Sequence, residues 1–361
     1  NFVFDGVMAG TYIRGDNVNT SSYVAVGDGN FKNAECTLAC IEVTTPTLSL
    51  DNTAFSTLTV SYGAVRHYPL AASELLITYC SFHTITSSSN YTCVDATLDT
   101  TSSSVVITLN DFIGCKTTAD FGAVSVSSVT LASDIDISAN TFQGNSAQNG
   151  AAITLVNSLA SSPGTTTSTR LIAENSFLGN IGQQGCAINV VRVTDLLLRN
   201  NTLSENDCST EYLLTSPAPI EILGDTFDTT MSTATSGAYI HFLVDLANPT
   251  STDMSTFTDV IVLTGLNDPK ASILYSNVNS GSGTITSLTL NNLTLTSSAY
   301  LEFNQENTPS AMIDITHIEM IPRFAQPVTN NTGLLNFTIL NPNSNNVQLN
   351  TDGYLALGLL A

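Results

Sequence analysis

The sequence has no tryptophan, four His, and only nine Lys and Arg against thirty Asp and Glu. A formal charge of -21 opposes docking onto DNA, RNA or anionic lipid headgroups, which excludes nucleic acid as a partner. The acidity has two readings, cation binding or a soluble surface that repels its neighbours. No apolar run reaches the roughly 18 residues that a membrane-crossing helix needs, so no transmembrane segment is expected. Only 11% of the 361 residues are charged. Ser, Thr and Asn stand in their place, which predicts long polar β surfaces and little helix. The apolar fraction of 42% is ample for well-buried cores.

Cysteine is absent after residue 208; the seven present are Cys36, Cys40, Cys80, Cys93, Cys115, Cys186 and Cys208. That asymmetry, followed by Ser216-Pro217-Ala218-Pro219, suggests a short stiff linker between two units. The chain opens on Asn1 rather than Met, as signal-peptide removal or a recombinant boundary would leave it. The first of these fits an extracellular or cell-surface protein with disulfides.

One frame recurs: two aliphatic residues in alternation, then an aromatic five positions after the second. It reads Val24, Val26, Phe31; Leu48, Leu50, Phe55; Leu75, Ile77, Phe82; Val105, Ile107, Phe112; and Ile135, Ile137, Phe142. Weaker copies are Arg170, Ile172, Phe177 and Leu196, Leu198, Leu203. The steps of 24, 27, 30, 30, 35 and 26 residues fit a solenoid of about seven rungs whose outer loops vary in length while the core keeps register.

A second signal lies inside the rung. Asn140-Thr-Phe142-x-x-Asn145-x4-Gly150-x-Ala152-Ile153 matches Asn175-Ser-Phe177-x-x-Asn180-x4-Gly185-x-Ala187-Ile188 at every named position. Glycine supplies positive φ, alanine leaves room for a neighbouring rung, and asparagine tolerates left-handed turns and can bond to the next asparagine in a ladder. Phe142-x-x-Asn145 with Gly150-Ala151-Ala152-Ile153, and Phe177-x-x-Asn180 with Gly185-Cys186-Ala187-Ile188, resemble the Phe-x-x-Asn and Gly-Gly-Ala-aliphatic repeats of chlamydial polymorphic outer-membrane proteins. The resemblance covers about residues 20 to 215 and implies a right-handed parallel β-helix used in surface display and adhesion. The second Gly of that motif is Ala or Cys here, and no membrane-barrel domain is visible.

The resulting expectation is an all-β chain: an N-terminal strand or cap over 1–19, a parallel β-helix over 20–215, and a β-sandwich over 216–361. The sandwich rests on alternating runs such as Ile220 to Leu223 and Tyr239 to Val244, separated by Gly, Asn, Pro and Ser turns.

Catalytic and cofactor residues are not indicated. Asp134 and Asp136 alternate with core Ile135 and Ile137, which puts both carboxylates on an outer face. The Gly-His-Gly and Arg-Ile-Lys signatures of polygalacturonases are missing. His67, His83, His241 and His317 have no i, i+4 pairing and no Cys at zinc spacing, so a metal site is not expected. Asp16-Asn17 and Asp28-Gly29-Asn30 could offer oxygens to calcium, and Asx-turn chemistry explains them equally well. Arg14-Gly15-Asp16 matches the integrin-binding tripeptide, a match too short to outweigh coincidence.

Cys93–Cys115 and Cys186–Cys208, each separated by 22 residues, should bridge neighbouring rungs, and Cys36–Cys40 should close a short loop. Sequons stand at Asn19, Asn90, Asn200, Asn292, Asn330 and Asn336, and mark glycosylation candidates if the source glycosylates. Both chain ends carry apolar strand-like segments, with Phe2, Phe4, Val7 and Tyr12 at one and Tyr354, Leu357 and Leu359 at the other. Such segments either fold back as edge strands or pair head-to-tail with another copy. The functional expectation is an extracellular structural or interaction protein, a surface adhesin or a filament subunit. The alternative is a carbohydrate-binding or polysaccharide-cleaving β-helix protein, with glycans as possible partners.

Overall fold

A computed structural model describes residues 2–356 apart from connecting stretches, the longer of them 17–21, 158–167, 229–236, 245–253, 264–270, 278–285, 322–335 and 341–346. Beyond Leu263 it describes mainly backbone pairing. The described regular structure is all β-strand, with no helix among the described residues.

The turn from Ser133 to Val156 shows how the sequence sets the geometry. Alternation in Ser133–Ser138 sends Ile135 and Ile137 inward, where both are buried. Ala139, at φ 54°, then bends the chain into Thr141–Gln143, which buries Phe142, and Gly144, at φ 61°, bends it again. A further loop leads to Ile153–Val156, whose Ile153 and Leu155 are buried. Each turn thus contributes one strand to each of three sheets: an aliphatic sheet, a phenylalanine sheet and a third sheet.

All listed neighbours in the three sheets pair parallel and one turn apart, which makes the chain a parallel β-solenoid. Ile77, Ile107, Ile137, Ile172, Leu198 and Ile222 stand in register along the aliphatic sheet. Phe31, Phe55, Phe82, Phe112, Phe142 and Phe177 form a column of stacked rings with centroids 4.8 to 5.2 Å apart and planes within 8°. That spacing is the strand-to-strand distance of a sheet, so backbone pairing and ring stacking are satisfied by one repeat. Each buried ring contributes about 1.5–3 kcal/mol by leaving water, with roughly 0.5–1.5 more per stacked pair.

Glycine is required where the chain enters the third sheet. A Cβ on Gly150 would lie 1.9 Å from Thr154 Oγ1, and one on Gly185 2.9 Å from Asn189 Cβ, and both residues have positive φ. The recurring Gly of the sequence motif is therefore a close approach as well as a turn.

Two expectations are revised. A β-sandwich over 216–361 is not what the described strands build. Ile220–Leu223 pairs parallel with Leu196–Arg199, Ala238–Val244 with Thr210–Thr215, and later described strands through Leu355–Ala356 continue the same three sheets. The Pro-containing stretch 216–219 lies between a strand of the third sheet and one of the aliphatic sheet, where each turn has its variable loop. At the other end, Phe2–Asp5 pairs in register with Gly29–Cys36. Phe4 lies 5.1 Å from Phe31 and 4.8 Å from Tyr12. The N-terminal segment is thus the edge of its own solenoid rather than a free donor strand. Val7, Tyr354, Leu357 and Leu359 lie outside the described residues.

Phe142→Ala should lower unfolding free energy by about 3–5 kcal/mol, because rings on both sides hold the cavity open. Urea denaturation measures it, and a loss under about 1 kcal/mol would contradict the stacked column.

Candidate functional site: polar ladders and the Arg66 cluster

Two asparagine ladders run along the corners that flank the phenylalanine sheet. In the first, Oδ1 of Asn140 accepts from both N and Nδ2 of Asn110, each at 3.0 Å. Asn175 and Asn201 repeat the arrangement one turn at a time. The second Nδ2 hydrogen reaches a main-chain carbonyl of the preceding turn, Ile77 for Asn110 and Ile107 for Asn140. Asn145, Asn180 and Asn206 build the second ladder in the same way. Each residue follows a left-handed one, such as Leu109, Ala139 or Gly144, so the corner turns the next amide along the axis.

The first ladder ends in a change of chemistry. Asp225 takes the place of an asparagine and is wholly buried. It accepts from Asn201 N at 2.7 Å, Asn201 Nδ2 at 3.3 Å and the Tyr212 hydroxyl at 2.8 Å. Burial, partly offset by these donors, pushes its pKa up to about 7.

The third sheet carries a charged cluster on its outer face. Glu42, Arg66 and Asp95 stand in register on three consecutive turns. Arg66 lies 3.3 Å from Asp95 and 3.9 Å from Glu42. Its guanidinium sits over the rings of Tyr62 and Tyr68 at 4.9 and 4.6 Å. The Tyr68 hydroxyl donates to Glu42 Oε1. Burial and that carboxylate raise the tyrosine to about 12. Burial pushes Asp95 up to about 7 against the pull of Arg66. The neighbouring His67, with Nε2 3.0 Å from Thr45 O, is lowered by burial to about 4. Both carboxylates are almost fully covered and committed to Arg66. The arrangement is suited to fixing three turns against one another rather than to handling a substrate.

Three disulfides join Cys36 to Cys40, Cys93 to Cys115 and Cys186 to Cys208, the latter two between adjacent turns. Cys80 is buried and free at a ladder position, its N–H donating to Asn110 Oδ1 and its thiol lying 3.2 Å from Thr78 O. Burial raises that thiol to about 11. Sγ of Cys186, Sγ of Cys208 and a carboxylate oxygen of Glu211 lie within 4.8 Å of one another. With the two sulfurs bonded together, that group offers no thiolates to a metal.

The other sequence candidates are dispersed. Asp134 is exposed and Asp136 half-buried on the outer face expected for them. Arg14 and Asp16 pair with each other at 2.6 Å beside an edge strand, so the tripeptide is not held as a presented loop. Asp28 Oδ1 accepts from Asn52 Nδ2 at 2.6 Å, which is turn chemistry between rungs. Asn200 is exposed at a left-handed corner. Asn19, Asn90, Asn292 and Asn330 lie outside the described residues, as do Asn17 and His317, and Asn336 is described only as backbone of a strand. The Arg66 cluster was not anticipated. Its members are 24 and 29 residues apart in sequence, and only the register unites them. Arg170 is likewise unexpected as a wholly buried cation, in register between Ile135 and Leu196 and 3.7 Å from Asp195.

Comparison with protein-family models, curated proteins and solved structures found no match.

Asp95 and Asp225 hold their protons more firmly folded, at about 7, than at the ordinary 3.8. Their contribution to stability is therefore full below about 4 and lost as pH rises through about 7. His67 acts oppositely, its contribution falling as pH drops from 6.5 towards 4. Asp225→Asn should therefore flatten the decline in melting temperature between pH 5 and 8, relative to wild type, and an unchanged slope would show that Asp225 does not titrate there. Non-reducing peptide mapping should recover the three disulfides, with Cys80 alkylated only after denaturation; rapid alkylation of the native protein would contradict its burial.

Proposed function

We propose that the chain is an extracellular structural or interaction protein, a surface adhesin or the subunit of a self-assembling filament, without enzymatic activity. The observation that carries this reading is the unbroken run of stacked rings and amide ladders through successive turns, the construction of a stiff rod. Its buried polar side chains are largely spent on neighbouring turns: the asparagines on each other, Asp225 on Asn201 and Tyr212, Glu42 and Asp95 on Arg66. The disulfides fit an oxidising compartment. No helix among the described residues is long and apolar enough to cross a membrane. The right-handed sense favoured by parallel crossovers would complete the likeness to surface-display repeats.

Electron microscopy of the native material, with light scattering of the purified chain over a wide concentration range, tests the reading. Filaments or a defined surface-bound array are expected. A chain that stays monomeric, forms no array and releases sugars from polysaccharides would instead establish the carbohydrate-active alternative.

A further inference from the structure

The outer faces of the solenoid differ in character. At the central outward position of the third sheet, successive turns carry Glu42, Arg66, Asp95, Ser125 and Thr154. At the corresponding position of the aliphatic sheet stand Leu76 and Val106, in register and half-buried. The left-handed corners that follow hold Tyr79, 63% exposed at φ 52°, and Leu109, 47% exposed at φ 60°. A bulky apolar side chain is doubly misplaced there, strained in its backbone and exposed to water. The fold does not require it: Asn52 and Asn200 fill the same corner in other turns, also at positive φ.

Carboxylates surround these four side chains. Glu74, Asp111 and Asp134 are exposed, and Oδ1 of half-buried Asp136 is covered without a hydrogen-bond partner. From His67 to Cys115 the chain contains no Lys or Arg. The patch is thus apolar at its centre and negative at its border, with no basic residue in this stretch of chain to neutralise it.

We propose that Leu76, Tyr79, Val106 and Leu109 form a docking surface for a protein segment that is both apolar and cationic. Charge complementarity selects this occupant: a second copy would bring the same carboxylates against themselves, and an anionic membrane would be repelled. Apolar side chains on alternate residues of an extended segment would meet the two turns, and Lys or Arg between or beside them would face the border acids. The surface is lateral, so it stands independently of any end-to-end assembly.

The test uses the full chain and a synthetic hexapeptide alternating lysine with leucine, against lysine–serine and glutamate–leucine analogues, with binding measured by calorimetry. The wild type should bind the lysine–leucine peptide at least tenfold tighter than either analogue. The double variant Tyr79→Asn, Leu109→Asn should lose that preference while its melting temperature holds or rises, since asparagine suits both corners. Equal binding by the variant, equal binding of any two peptides by the wild type, or a wild-type dimer that the variant abolishes would each overturn the proposal, the last by making a second copy the occupant.

Discussion

In a parallel solenoid the amides and carbonyls of each turn point along the axis, so a turn is held chiefly by the turns before and after it. Register is therefore the constraint from which the rest follows. Once Thr141–Gln143 lies on Asp111–Ile113, Phe142 must meet Phe112, Asn140 must meet Asn110, and Asn145 must lie above Cys115. A residue suited to its own column stabilises two interfaces, and one unsuited to it disturbs two. This explains why the columns are nearly uniform in chemistry although the spacing between turns varies by eleven residues, from 24 to 35. The variation falls in the connections, where backbone pairing is not at stake.

The polar groups obey the same rule. An asparagine buried alone at a corner would leave its amide unsatisfied at a cost of about 1–3 kcal/mol. In a ladder each carbonyl oxygen accepts from the turn before and each amide is used fully. Where a column changes identity, a different residue closes it: Cys80 at one end of the first ladder and Asp225 at the other. The Arg66 cluster applies the principle to charge, with acid, base and acid on successive turns.

Much of this was legible because a recurrent frame exposes its own register. The core columns from Val24 to Leu203 followed from two aliphatic positions and a ring, and the inter-turn disulfides from separations just short of one rung. The same frame continues as Ile220, Ile222 and Phe227, and it was obscured by Pro217, Pro219 and the end of the cysteines, which looked like a domain boundary. After Phe227 the ring position passes to Val262, and the signal fades into ordinary aliphatic alternation. The Arg66 cluster and the Tyr212–Asp225 bond were not legible in advance. Their members come from different strands or corners, and nothing local in the sequence marks them as partners until the turns are stacked.

The ladders also give the rod a direction. In every step the asparagine N–H groups point towards the higher-numbered turn and the carbonyl oxygens towards the lower one, so the amide dipoles add along the axis instead of cancelling. The positive ends of this aligned series face Asp225, much as the amino end of a helix faces an acidic cap. The two directions along the axis are thus electrically distinct even where the turns look alike. A charged molecule travelling along the surface would meet a graded potential rather than a uniform one.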